Sequence, residues 1–367
     1  MAVERISRLS QPMQAAGLDA LVLNPGPSMV YLTGLHFHLS ERPYVMIVCP
    51  GKEPVLILPE LELIKAKACL IPFKLFAYGD NPATWGTAFK QACAEVSLDH
   101  KKVGVEPNQL RVMELRYLES AASHARFESA SAILASLRMA KDPAELAAMG
   151  KAVDVAQRGL KATLPSIRAG VTEREAAAEL TLQLLRAGCD SSLPFAPIVA
   201  GGPNSANPHA VPTDRPLAEG DLLVIDWGAS VDGYFSDLTR TFGIGKVEPE
   251  LATIAQVVLA ANTAGRAAGH PGLAAGQVDR AAREVITRAG YGVYFTHRVG
   301  HGLGMEGHED PYMFGENEMP LAVGMTYTVE PGIYLPGRGG VRIEDDVYVT
   351  ADGSASFSNY PRELAIL

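Results

Sequence analysis

The chain has 367 residues, more than a single hydrophobic core usually serves, so two domains and a large buried core are expected. A formal net charge of -9 argues against a surface that neutralises phosphates, and nucleic acid is not an expected partner. No segment approaches the roughly 20 uninterrupted apolar residues that a membrane span needs. Met1 to Gln11 carries Glu4, Arg5 and Arg8 without an apolar run, so it reads as neither a signal peptide nor a membrane anchor. Cys49, Cys69, Cys93 and Cys189 match no Cys-x-x-Cys spacing and read as reduced thiols. A cytoplasmic protein without membrane attachment is expected.

The first third alternates short apolar runs, Leu18 to Leu23, Tyr44 to Cys49 and Val55 to Leu58, with helical stretches and Pro/Gly turns. That texture predicts an α/β domain over residues 1–135. It contains no metal-ligand spacing. Asp142, Pro143 and Glu145 then stand where an N-cap, a first-turn proline and a capping-box acid belong, so a long helix starts there. Leu146, Met149, Val153, Leu160 and Leu164 give it one apolar face. A second domain, α+β in class, is placed over residues 136–367.

Within it the chain repeats itself. Gly170, Arg186, Ala187 and Gly188 recur at one constant offset as Gly272, Arg288, Ala289 and Gly290, bracketing a helix that a glycine ends in both copies. Leu217, Gly220, Asp226 and Gly228 recur at a nearly equal offset as Leu321, Gly324, Glu330 and Gly332. The runs Leu222 to Ile225 and Thr326 to Val329 read as corresponding strands, each closed by an acid and followed by a second strand. Two such halves facing each other predict a pseudo-twofold, curved antiparallel sheet around a central site, with helices outside.

Asp226 is followed by Asp237, and Glu330 by Glu344, each second acid placed on the strand that pairs with the first. Neighbouring side chains on one face of paired strands lie about 4.5–5.5 Å apart at Cβ, so four carboxylates converge. Such a cluster repels itself and raises its own pKa values unless cations occupy the centre. Divalent metal ions answer that requirement. Taken singly, each acid also reads as a turn or solvated residue.

The glycine-dense run His301-Gly302-Leu303-Gly304 brings backbone close to this centre, with His301 a neutral imidazole ligand. His308 and its first-half counterpart His209 are placed to donate hydrogen bonds to a substrate carbonyl and the negative charge that develops on it. Structural histidines are the alternative for all three. Arg342, two positions before Glu344 on one strand and so on the same face, either locks the carboxylates in place or grips a substrate carboxylate.

The segments Val224-Ile225-Asp226-Trp227-Gly228-Ala229, Gly233 to Arg240, Gly300 to Gly304, Gly307-His308-Glu309, Val329-Glu330-Pro331-Gly332 and Val341 to Asp345 closely resemble the pita-bread metallopeptidases. Among these they are most similar to the Xaa-Pro dipeptidases (prolidases) and aminopeptidases P. The resemblance implies that Asp226 chelates one metal, His301 and Glu330 the other, and that Asp237 and Glu344 bridge. It implies two divalent ions, most often manganese, with cobalt or zinc as alternatives, a small peptide substrate and a homodimer. Glu330 would move the proton, while His209 and His308 steady the intermediate.

Aminopeptidases P of this size are expected to carry an Asp-x-Arg-Tyr-like segment after an early strand. Here the region reads Leu58-Pro59-Glu60-Leu61-Glu62, which favours the dipeptidase. The loop His36 to Arg42 offers blocking groups or carboxylate anchors, or is a solvated turn. An aminopeptidase P, another metallo-exopeptidase or a metal-dependent lyase on the same fold are the other readings.

Overall fold

The structure is a computed structural model and describes residues 2–367. The chain forms two compact units, Met1–Arg138 and Met139–Leu367. No helix among the described residues is long and apolar enough to cross a membrane.

In the first unit the apolar runs become β1 (Ala20–Leu23), β2 (Val45–Val48) and β3 (Val55–Pro59). With β4 (Lys74–Tyr78), β5 (Lys102–Val105) and β6 (Arg126–Ser129) they form a mixed sheet in the order β4-β3-β2-β1-β5-β6. β1, β2 and β3 are buried along their whole length, which is why they read as continuous apolar runs and not as alternating ones. Helix Trp85–Val96 packs on this sheet through Trp85, Phe89, Ala92 and Val96, repeating at helical spacing. Cys49, Cys93 and Cys189 are buried, Cys69 is partly so, and all four are free thiols.

The second unit opens with helix Pro143–Thr163. The Asp142 side chain accepts hydrogen bonds from the amides of Ala144 and Glu145, and Glu145 reaches back to the Asp142 amide, so the capping box forms as read. Helix Glu173–Ala187 packs beside it. Strands β7 (Ile198–Gly201), β8 (Leu222–Trp227), a small hairpin β9 (Ser230–Val231) and β10 (Tyr234–Phe235), and β11 (Leu238–Gly243) follow.

The second half repeats the order. Helices Pro249–Ala268 and Gly276–Arg288 precede β12 (Gly300–Gly302), β13 (Glu309–Met313), β14 (Thr326–Val329), the hairpin β15 (Gly332–Leu335) and β16 (Gly339–Arg342), and β17 (Asp345–Val349). Strands β18 (Ser354–Ser356) and β19 (Ala365–Ile366) end the chain, giving sheets ordered β19-β11-β8-β7 and β13-β12-β14-β17-β18.

The duplication extends to single hydrogen bonds. The amide of Gly170 donates to the Leu217 carbonyl and that of Gly272 to the Leu321 carbonyl, both at 2.8 Å. Gly220 and Gly324 both adopt left-handed backbone, φ 92° and 85°, at the turn that enters the acid-bearing strand. The two half-sheets meet where Thr239 on β11 bridges Glu344, just ahead of β17.

Alternation along the strands separates two faces. Leu223, Ile225 and Trp227 of β8 join the core beneath the first helix pair, and Tyr327 and Val329 of β14 join the core beneath the second. The intervening residues therefore face the other way, toward the concave side. The indole of Trp227 donates to the Ala156 carbonyl at 2.9 Å, fixing the end of β8 against its helix beside Asp226.

Candidate metal centre

Asp226 sits on β8 and Glu330 directly follows β14. Asp237 and Glu344 do not lie within the partner strands, as the sequence suggested, but immediately before them, ahead of β11 and β17. The alternation still delivers them to the concave face, because Leu238 and Val347 take the core positions of those strands. Arg342 and Glu344 likewise do not share one strand. Arg342 ends β16, β17 begins at Asp345, and the break lets Glu344 turn to donate its amide to the Thr239 carbonyl at 3.1 Å.

All eight residues singled out from the sequence, Asp226, Asp237, His301, Glu330, Glu344, His209, His308 and Arg342, line one cavity of about 860 Å³. Ligand atoms of Asp237, His301 and Glu344 lie within 4.8 Å of one another. His301 Nε2 is 3.3 Å from Glu330 Oε1 and 3.8 Å from Asp237 Oδ2.

The backbone needs the glycines that flank His301. A Cβ on Gly300 would sit 1.9 Å from the Thr328 carbonyl oxygen, so only glycine permits β12 to lie this close to β14. His301 Nδ1 lies 3.1 Å from the Gly302 carbonyl oxygen, which makes Nδ1–H the donor and leaves the Nε2 lone pair facing the acids. Burial pushes the imidazole pKa down to about 3, so His301 is neutral.

The acids shift the opposite way. Loss of solvation and the neighbouring charges of Asp226, Asp346 and Glu330 raise Asp237 well above the carboxylate range. Desolvation followed by Asp237, Glu330 and Asp226 does the same to Glu344. Glu330 is pushed up to about 7, mainly by desolvation, with Arg342 opposing. Asp226 Oδ1 is buried and has no hydrogen-bond partner among the described residues. Oxygen donors in excess, one neutral imidazole nitrogen and an unsatisfied carboxylate oxygen fit divalent cations.

The two histidines outside the acid cluster differ in setting. His308 packs against His301 with ring centroids 3.8 Å apart and planes tilted by 32°, and both His308 and His209 are exposed to the cavity. The His308 ring loses water on one side and feels Arg298, so it is protonated less readily than a free histidine.

Residues 147–351, more than half of the chain, match metallopeptidase family M24, and residues 5–140 match the creatinase/prolidase N-terminal domain. The chain belongs to metallopeptidase family M24. It is a hydrolase of a family that acts on peptides with divalent metal ions, and its two-domain, pita-bread architecture is that of the family. An Xaa-Pro dipeptidase of Lactobacillus delbrueckii subsp. lactis is 33% identical over 363 residues, 99% of this chain and 98% of that one. The crystal structure of a dipeptidase from Pyrococcus horikoshii OT3 is similar with a TM-score of 0.92 at 36% identity, covering 100% of both chains. That of a prolidase from Thermococcus sibiricus has a TM-score of 0.95 at 31% identity, covering 100% of this chain and 99% of that one.

This M24 chain also uses residues that the sequence did not point out. Thr239 donates from its hydroxyl to Glu344 Oε2 at 2.6 Å, and Asp346 accepts the Asp237 amide at 3.0 Å. Thr328 Oγ1 lies 3.3 Å from Glu330 Oε1 and accepts the His301 amide at 3.1 Å. Asn262, on a helix of the outer layer, donates to the Val329 and Ile343 carbonyls beside two of the acids. Each is an ordinary Thr, Asp or Asn in sequence, and only period-two counting from Asp237 or Glu330 would have raised Thr239 and Thr328.

The repeat is not perfect at the centre. Ile198 of β7 pairs with Asp226 and Gly201 with Leu223, while the Glu330 amide donates to the Val299 carbonyl and Gly302 pairs with Tyr327. By that register His301 corresponds to Ala200. The imidazole belongs to one half alone.

Proposed function

We propose that the protein hydrolyses the peptide bond before proline, acting on Xaa-Pro dipeptides. Asp226, Asp237, His301, Glu330 and Glu344 would hold two divalent ions, Asp226 serving one, His301 and Glu330 the other, and Asp237 and Glu344 both. Manganese is the native ion in this reading, the protein is a cytoplasmic homodimer, and residues 136–367 form the catalytic domain, following in sequence a non-catalytic domain at 1–135. The observation that carries the proposal is the convergence of four carboxylates and one neutral imidazole in a single cavity, three of the carboxylates shifted upward by mutual repulsion and burial.

When bound, the ions supply Lewis acidity, lowering the pKa of water and polarising the scissile carbonyl. The protein's own groups do the rest. Glu330 accepts the proton of the attacking water and passes it to the departing proline nitrogen. His308 and His209 face the same cavity and donate hydrogen bonds to the carbonyl oxygen as charge builds on it. Arg342 holds Asp226 in place. Phe195, Ile198 and Phe314 give the cavity an apolar wall suited to a proline ring, whose tertiary amide offers no N–H for backbone recognition.

A panel of Xaa-Pro dipeptides and Xaa-Pro-Yaa tripeptides, assayed with manganese, cobalt and zinc, tests the reading. Release of proline from Ala-Pro with tripeptides left intact is expected. Efficient tripeptide cleavage would reassign the chain to aminopeptidase P, and failure on both classes would refute the substrate assignment.

A further inference from the structure

We infer that Arg298 anchors the C-terminal carboxylate of the dipeptide, and so sets the length of substrate the cavity accepts. The inference rests on the proposed function and adds to it the residue that reads the free carboxylate.

A dipeptide cut before its last residue presents a carboxylate within one residue of the scissile bond, and an acid-rich cavity repels it unless a cation stands opposite. The described residues lining the cavity include two permanent cations, Arg342 and Arg298. His297 and His301 are held neutral, pushed down to about 4 and about 3 by burial.

Arg342 is committed. Its Nη2 donates to Asp226, Nη1 to the Tyr334 hydroxyl at 3.0 Å and the Pro208 carbonyl at 3.2 Å, and Nε to Thr239 at 3.1 Å. A guanidinium so engaged has no paired N–H edge left for a bidentate grip.

Arg298 is in the opposite condition. Among the described residues it makes no side-chain hydrogen bond to a carboxylate and no ion pair, and its side chain is only partly buried. Its guanidinium carbon sits 4.5 Å from the centre of the Tyr312 ring. Stacking uses the face of the guanidinium and leaves its N–H edge available, the arrangement that matches a carboxylate fork to fork. Its charge is felt at Glu330, His301 and His308, which places it within electrostatic reach of the reacting groups.

The position also explains selectivity. A longer peptide continues past proline as a neutral amide, gains nothing from the cation, and must still strip water from it. Dipeptides are therefore favoured by charge and not only by steric closure.

The experiment measures kcat and KM on Ala-Pro for the manganese-loaded wild type, Arg298→Lys and Arg298→Met, together with kcat/KM on Ala-Pro amide. A charge-assisted bidentate contact of the usual strength predicts a KM for Ala-Pro raised roughly 10- to 100-fold in Arg298→Met, with Arg298→Lys between, and kcat changed far less. The ratio of kcat/KM for acid over amide should fall by a similar factor. Tyr312→Leu, which removes the stacking platform and keeps the cation, should shift that ratio the same way by a smaller factor. An unchanged KM, or a kcat loss at constant KM, overturns the inference while leaving the proposed function standing. A wild type that releases no proline from Ala-Pro overturns the proposed function and this inference with it.

Discussion

Arg342 Nη2 donates to Asp226 Oδ2 at 2.5 Å, with both side chains almost closed to solvent, 4% and 13% exposed. The arginine comes from the second half of the repeat and the aspartate from the first, so this pair ties the two halves together across the concave face. Its partners on the remaining nitrogens are hydroxyls and a carbonyl, which leaves Asp226 as the only carboxylate it bonds among the described residues.

Removing Arg342 should therefore act on stability and on the ions together. Arg342→Met leaves Asp226 buried and uncompensated, a loss of about 3–5 kcal/mol by the usual cost of breaking a buried pair. Metal affinity should drop about 10- to 100-fold, as it does when a ligand loses the group that orients it. Thermal melts with and without manganese, and a metal titration, check both.

Glu344→Gln should have opposite effects on the two forms of the protein. In the metal-free form, at a pH high enough to ionise the cluster, it removes one of several repelling buried charges, so the melting temperature should rise, by about 2–4 °C for each kcal/mol relieved. In the metal-loaded form it removes a ligand, and bound metal and activity should fall. Calorimetry of both forms separates the outcomes, and a metal-free melt that falls would contradict the repulsion seen at Asp237 and Glu344.

The same repulsion gives the metal-free protein a pH dependence of known sign. Glu330 rises to about 7 in the folded chain from an ordinary carboxylate value near 4.3 in the unfolded one. Between those values Glu330 holds more proton in the folded state, so its contribution is full below about pH 4 and is lost as pH climbs through about 7, whereas His297 and His301, held neutral in the fold, act the other way up to about pH 6.5. Asp237 and Glu344 shift in the same direction as Glu330. Above about pH 6.5, where the histidines are neutral in both states, chelator-treated protein should melt progressively lower as pH rises, and added manganese should restore most of the stability. A metal-free melting temperature that climbs from about pH 6.5 upward would contradict this.

His308→Ala should cost about 10²–10³-fold in kcat, the range for removing one donor to a developing oxyanion, with KM nearly unchanged. The His308 ring lies against His301, so metal content must be measured alongside. A parallel loss of bound metal would make His308 a support for His301 and not a donor to substrate.

Much of the site was legible because its chemistry is unusual. Four acids closing or preceding β-branched runs, with one histidine between glycines, is a costly pattern without cations, and its recurrence in two halves identified the pairs. The capping box at Asp142 and Glu145 was legible for the opposite reason, since it is local. Two things were not. The break between Arg342 and Glu344 was invisible because period-two counting assumes a continuous strand, and the chain interrupts it where Glu344 bridges to Thr239. Thr239, Thr328, Asn262 and Asp346 went unnoticed because hydroxyls and amides serve so many roles that only their partners distinguish them.

The correspondence of His301 with Ala200 reaches beyond metal affinity. A peptide has a direction, amine at one end and carboxylate at the other, whereas a site with true twofold symmetry presents the same groups to either orientation. Four acids arranged two by two would accept a substrate backwards as readily as forwards. An imidazole in one half, where the other half carries only the methyl group of Ala200, abolishes that equivalence, and Arg298, three residues before it, lies on the same side of the broken symmetry. The repeat thus accounts for a centre that can be built at all, and its departures from symmetry for a centre that can tell which end of the chain it holds.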